Sequence, residues 1–160
     1  MSCSGSSMQN VTIHTGDDAR LLVNFVDCAG QPVDITGASL TYTQSARSGG
    51  ADVVTLATPT DIVIANDGES AAIYLTPTET GVSDARRFHK LVLVDADSHT
   101  ITVMTGIALF LTSALTSCET LTARIDTDLF VPGESSSFFM FDFSVASNSE
   151  NILFLFDEVL

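Results

Sequence analysis

The chain has 160 residues, 45% apolar and 16% charged, which allows one buried core and argues against a disordered chain. Twenty acidic residues against six basic ones leave a net charge of −14, so a phosphate backbone is repelled and nucleic acid is not an expected partner. Cys3, Cys28 and Cys118 are too few and too scattered for a disulfide framework or a zinc site, so reduced thiols are expected.

Residues 1–10 are polar and are expected to form a flexible N-terminus. They lack the basic start and apolar stretch of a secretory signal, and no window reaches the length of a membrane span. Production in the cytosol is the corresponding expectation. From residue 11 the strand pattern repeats. Runs at 11–14 (VTIH), 20–26 (RLLVNFV), 38–44 (ASLTYTQ), 53–57 (VVTLA), 61–65 (DIVIA), 71–76 (AAIYLT), 88–94 (FHKLVLV) and 100–111 (TITVMTGIALFL) are rich in Val, Ile, Leu, Thr and aromatics.

Turn-forming clusters separate these runs: Asp27 to Pro32, Ser48 to Gly50, Asn66 to Glu69 and Asp95 to His99. Thr78 to Ala85 begins with a capping-type pattern but contains Gly81 and lacks an apolar stripe, which predicts a loop with one turn of 3₁₀ helix. Arg86, Arg87, His89 and Lys90 precede an apolar run, as cations that flank a strand and limit aggregation. Seven or eight strands make two packed antiparallel sheets, so the chain is predicted to be all-β, an antiparallel β-sandwich with a β-rich C-terminal extension.

The corner Gly30-Gln-Pro-Val-Asp-Ile-Thr-Gly37 has its own physical logic. Pro32 fixes φ as the chain leaves the turn, Asp34 accepts from nearby backbone N–H groups, and Gly37 supplies a conformation that side chains disfavour. Gly30, Pro32, Asp34 and Gly37 are therefore expected to be structural turn residues, and Asp17 and Asp18 to serve turn and cap chemistry.

The stretch Ile13-His-Thr-Gly-Asp-Asp-Ala-Arg20, this corner, and the later Ala72-Ile-Tyr-Leu-Thr-Pro-Thr-Glu-Thr80 and Arg87-Phe-His-Lys-Leu-Val-Leu-Val94 together resemble the immunoglobulin-like modules of tailed-bacteriophage virion proteins. Baseplate upper protein N-terminal domains and tail-fibre adaptors are of this type. Ile35 stands where that pattern more often has Leu. The resemblance spans about residues 11–113. It implies an immunoglobulin-like sandwich, a place in the virion after synthesis in the host cytoplasm, and other virion proteins and further copies of the chain as partners.

No Gly-x-Ser-x-Gly elbow occurs, and His14, His89 and His99 fall in runs read as strand edges or turns, so no catalytic residues are assigned and a non-enzymatic protein is expected. Asp95-x-Asp97-x-His99 could offer oxygen ligands to calcium but lacks the EF-hand glycine and terminal Glu. Side chains bonding the local backbone are expected there instead, and neither metal nor cofactor is assigned.

Residues 114–160 read as a separate extension. From Ser113 to Leu121 the chain is rich in Thr and Ser and loses its alternation. Two apolar bursts follow, and seven of the ten phenylalanines lie in this C-terminal part. Phe138, Phe139, Met140, Phe141, Phe143, Ile152, Phe154 and Phe156 are the expected partner interface, because a short segment this apolar needs a surface to cover it. After Arg124 no basic residue remains, so the partner surface should be neutral or basic.

Assembly in a tail, baseplate or fibre-adaptor position is the leading expectation, with capsid decoration or a head-to-tail position as the alternative. A carbohydrate-binding module for a host glycan is the reading of another class. It would have to stack sugars on Phe, since the chain has no Trp and two Tyr.

Overall fold

Alternation of apolar and polar side chains sets the strands. In β3 (Ala19–Val26), Ala19, Leu21, Val23 and Phe25 are buried while Arg20 and Asn24 face solvent, the period of two that puts one side of a strand on a core. The computed structural model describes residues 7–82, 86–112 and 117–133, the side chains of 117–119 excepted.

Around β3 stand β1 (Ser7–Met8), β2 (Val11–His14), β4 (Ser39–Ser45), β5 (Asp52–Ala57), β6 (Ile62–Ile64), β7 (Ser70–Leu75), β8 (Arg86–Val94), β9 (Thr100–Leu111) and β10 (Ser117–Arg124). They form two sheets. One runs β1-β9-β8-β4-β5 with β2 also paired to β9, and the other runs β10-β3-β7-β6. Between them lie Leu21, Val23, Phe25, Ile35, Leu40, Tyr42, Ile73, Leu91, Leu93 and Met104, each at most 1% exposed. The chain is an all-β sandwich, as its composition and turn spacing predict.

The sheets are mixed rather than purely antiparallel. Hairpin-type neighbours pair antiparallel, whereas β1 and β2 run parallel to β9, and β10 runs parallel to β3 along its whole length, from Ser117↔Ala19 to Arg124↔Val26. β1 and β2 share one register on β9, Ser7↔Met104 and then Val11↔Ala108, so they are a single edge strand interrupted at Gln9 and Asn10.

These parallel edges move the expected boundaries. The sandwich begins before residue 11, since Ser7 and Met8 already pair with β9. It also continues past residue 113: Leu121, Ala123, Ile125 and Phe130 are buried in the common core. The division at 113/114 is thus corrected, because a parallel strand far away in sequence supplies the pairing that a Thr- and Ser-rich segment does not advertise. Residues 134–160 lie outside the described residues.

Two smaller expectations also change. Pro77–Thr80 is one α-helical turn, α1, with Pro at its start and the Glu79 carboxylate accepting from the Thr76 N–H at 2.7 Å. Cys28, in the turn after β3, is disulfide-bonded, so it is not the reduced thiol expected. Spacing along the chain does not report what a sandwich brings together. No helix among the described residues is long and apolar enough to cross a membrane.

Candidate functional site on the outer face of the larger sheet

The larger sheet has an inner face on the core and an outer face. Along β4, Leu40, Tyr42 and Gln44 point inward and Thr41, Thr43 and Ser45 outward; along β8, His89, Leu91 and Leu93 point inward and Phe88, Lys90 and Val92 outward. Register then brings the outward residues into rows across the strands. Thr43, Lys90, Thr105 and Met8 make one row, and Ser45, Phe88 and Ile107 make the next.

This face is concave. A groove of about 450 Å³ lies over the two rows, walled on one side by Ser48, Gly49, Gly50 and Asp52 of the β4–β5 hairpin and on the other by Met8 and Asn10. Its walls are tied down. Ser45 Oγ donates to the Arg47 carbonyl at 2.8 Å, and Asn10 Oδ1 accepts from the Ile107 N–H at 3.0 Å. The surface offers hydroxyls, the Lys90 ammonium, the Asp52 carboxylate and the apolar side chains of Met8, Phe88 and Ile107. The lining thus mixes apolar, hydroxyl and charged groups.

On the inner side of the same strands lies a layer of buried polar groups. The Tyr42 hydroxyl accepts from Gln44 Nε2 at 3.2 Å, and Gln44 Oε1 accepts from Arg87 Nη1 at 3.5 Å. The Arg87 guanidinium also sits 5.6 Å from the centre of the Phe110 ring. Burial pushes the Tyr42 phenol well above its ordinary pKa, against the opposing hydrogen bond from Gln44.

His89 is 3% exposed, and its Nε2 lies 2.7 Å from the Gln9 carbonyl. A carbonyl only accepts, so Nε2 carries the proton, and the buried Nδ1 has no hydrogen-bond partner. Burial lowers the His89 pKa, and the Gln9 carbonyl works the other way. The expectation that His89 belongs to a strand edge is corrected: it is an interior residue of β8, held neutral beneath the groove.

Gly106 makes this contact possible. A Cβ at Gly106 would overlap the Gln9 carbonyl and come within 2.8 Å of His89 Nε2, so only glycine lets the edge strand pinch inward between β1 and β2.

Asp95, at the β8–β9 turn, shows how its cluster is used. Its Oδ1 accepts from the Asp97 N–H at 3.0 Å and the His99 N–H at 2.8 Å, while its Oδ2 accepts from the Val131 N–H at 3.0 Å and lies 3.2 Å from His99 Nδ1. Burial alone would raise its pKa. The hydrogen bonds from His99 and Val131 and the nearby imidazole outweigh that and hold the carboxyl below the usual carboxylate range. Both oxygens are spent on N–H donors, so this turn fastens the segment after β10 to the end of the larger sheet.

The corner Gly30–Gly37 is built as its sequence suggests. Gly30 and Gly37 have φ of +84° and +82°, Pro32 bridges to Val26, and Asp34 Oδ1 accepts from the Thr36 N–H at 2.8 Å. Gly37 also packs on Gly133, whose N–H donates to the Thr36 carbonyl at 3.1 Å. The end of the described residues at Gly133 is therefore held beside the corner.

The expected interface residues Phe138, Phe139, Met140, Phe141, Phe143, Ile152, Phe154 and Phe156 lie outside the described residues. Among the described residues, no group of three or more His, Cys, Asp or Glu side chains could hold a metal ion. The groove is the feature that sequence reasoning missed. Thr43, Ser45 and Lys90 read as an ordinary solvent face until the register aligns them, and the one available signal was the unusually polar alternation of Thr41, Thr43 and Ser45. Comparison of the chain with protein-family models and with curated proteins finds no match.

Proposed function

We propose that this chain is a non-enzymatic structural component of a tailed-phage virion, in a tail, baseplate or fibre-adaptor position, acting by protein–protein assembly. The observation that carries the reading is the Gly30–Gly37 corner. Its sequence bears the resemblance to virion immunoglobulin-like modules, and in the fold it grips Gly133, where the chain runs on into the Phe-rich segment. A rigid sandwich that fixes the departure point of an apolar arm suits a subunit that clamps a neighbour.

The test is electron microscopy of particles made without this protein. Loss of a tail or baseplate density is expected. Loss of head decoration or of the neck would favour the alternative position, and complete particles that bind host normally would overturn both.

A carbohydrate-binding module is the second reading, favoured by the groove's hydroxyls and by Phe88 as a stacking surface. Selective binding on a glycan array, lost on Phe88→Ala, would replace the assembly reading.

A further inference from the structure

We infer that residues 7–10 form a latch that acid releases. With His89 neutral, its ring pins the Gln9 carbonyl and the segment lies on β9. Protonation of His89 frees the segment as far as Val11 and takes away the Met8 and Asn10 wall of the groove. The device goes beyond the assembly reading and holds whatever that groove accepts.

A second proton on the ring finds no acceptor. Nε2–H is committed to Gln9, so a proton added at Nδ1 becomes a buried donor, and Nδ1 has no hydrogen-bond partner among the described residues. Gln44 stands directly opposite His89 in the β4–β8 register, but its Oε1 already accepts from Arg87 and its Nε2 donates to Tyr42. On β9 the facing residue is Gly106, which offers no side chain.

The surrounding charges do not relieve an imidazolium. Arg87 of β8 is a cation in the same polar layer, and the Tyr42 phenol, its ring centre 5.7 Å away, stays protonated well above neutral pH. Lys90 and Asp52 lie on the outer face of the sheet. From the smaller sheet the inward side chains Leu21, Val23, Leu121 and Ala123 are apolar, and Glu119 stands opposite Leu21 in the β10 register. Burial accordingly keeps the ring neutral in the closed state.

Water enters most cheaply at the edge. β1 has only two residues, Met8 is 81% exposed, and no apolar side chain of residues 7–10 is buried. Release gives up the pairing of Ser7 and Met8 with β9, the Gln9 N–H bond to the Thr105 carbonyl and the Asn10 bond to the Ile107 N–H. Beyond the break Val11 and Ile13, at most 1% exposed, hold β2 in the core, which makes Val11 the pivot. The open segment hydrates the ring and lets it take the proton. The closed state is therefore complete above about pH 6.5 and is lost as pH falls toward the folded value.

Hydrogen exchange of the full chain between pH 7.5 and 5, each rate divided by its intrinsic value at that pH, tests this. The Gln9 amide should lose protection by up to about tenfold per pH unit below about 6.5. Its exchange should be insensitive to urea below the unfolding transition, the mark of a small local opening, while the amides of β4 and β8 respond steeply. His89→Gln should abolish the pH dependence at Gln9. His14→Gln, His99→Gln and Glu119→Gln should each retain it, so the answer does not hang on one variant folding.

Gln9 exchange that follows urea as steeply as the β4 and β8 amides makes the event global unfolding and overturns the latch. So does a pH dependence that survives His89→Gln, or one that disappears in His14→Gln, His99→Gln or Glu119→Gln.

Discussion

The Nε2–H of His89 donates to the carbonyl of Gln9 at 2.7 Å, joining the middle of β8 to the break between β1 and β2 from beneath β9. Because burial holds the His89 pKa below its ordinary value, the unfolded chain binds a proton that the folded chain refuses. Stability from this group is complete above the unfolded value of about 6.5 and falls as pH drops toward the folded value. Urea denaturation between pH 7.5 and 5 should show a decline of up to about 1.4 kcal/mol per pH unit from this residue. His89→Gln keeps a donor for Gln9 and does not titrate, so it should flatten the slope. An unchanged slope would assign the acid sensitivity elsewhere.

Gly106 is the condition for that bond. Gly106→Ala drives a methyl group into the Gln9 carbonyl, and the edge strand must move away. A loss of about 1–3 kcal/mol is expected. Hydrogen exchange localises it: the Gln9 amide, now bonded to the Thr105 carbonyl at 2.8 Å, should lose protection while the β4 and β8 amides keep theirs. Uniform loss across the sheet would show that the pinch is not a local device.

Asp95 acts at lower pH and with the opposite charge. Its carboxyl titrates below the ordinary carboxylate value in the fold, so its contribution is present above about pH 4 and disappears as pH falls through the folded value. Asp95→Asn can keep its one oxygen for the Asp97 and His99 amides only by setting its NH₂ against the Val131 N–H, so one of these bonds is lost. It should lower the melting temperature at pH 7 more than Asp97→Asn does, and the gap should narrow at pH 3. Equal melting temperatures for the two variants would remove Asp95 from the set of anchors.

Most of the strands were legible because Val, Ile and Leu alternate with polar residues in β3, β7 and β8, and because Gly, Asn and Asp mark the turns. β10 was not. It opens Ser-Cys-Glu-Thr, and its inward residues Leu121 and Ala123 gain their meaning from β3, almost a hundred residues earlier. His89 was hidden by its basic neighbours Arg86, Arg87 and Lys90, since its burial is created by Gly106 and Gln9, both remote in sequence. The groove was illegible for the same reason: Thr43, Lys90 and Thr105 form a row only once two strand registers are fixed. The Gly30–Gly37 corner depends on local geometry and could be read directly.

Where the chain is cut should decide between folding and assembly. A chain ending at residue 118 loses Leu121, Ala123, Ile125 and Phe130 from the core and strips most of the parallel partner from β3. Burying each Leu- or Phe-sized side chain is worth about 1.5–3 kcal/mol, so Leu121, Ile125 and Phe130 together supply about 4.5–9 kcal/mol, as much as the whole margin of many small domains, and with the β3 pairing lost as well this truncation should fail to fold. Leu121→Ala alone should cost about 2–5 kcal/mol. A chain ending at Gly133 retains β10, the Asp95 link to Val131 and the Gly37–Gly133 contact, so it should give the β-sheet circular dichroism and cooperative unfolding of the full chain. If the shorter chain folds as well as the longer one, β10 is an appendage and the sandwich ends where its Thr- and Ser-rich sequence first suggested.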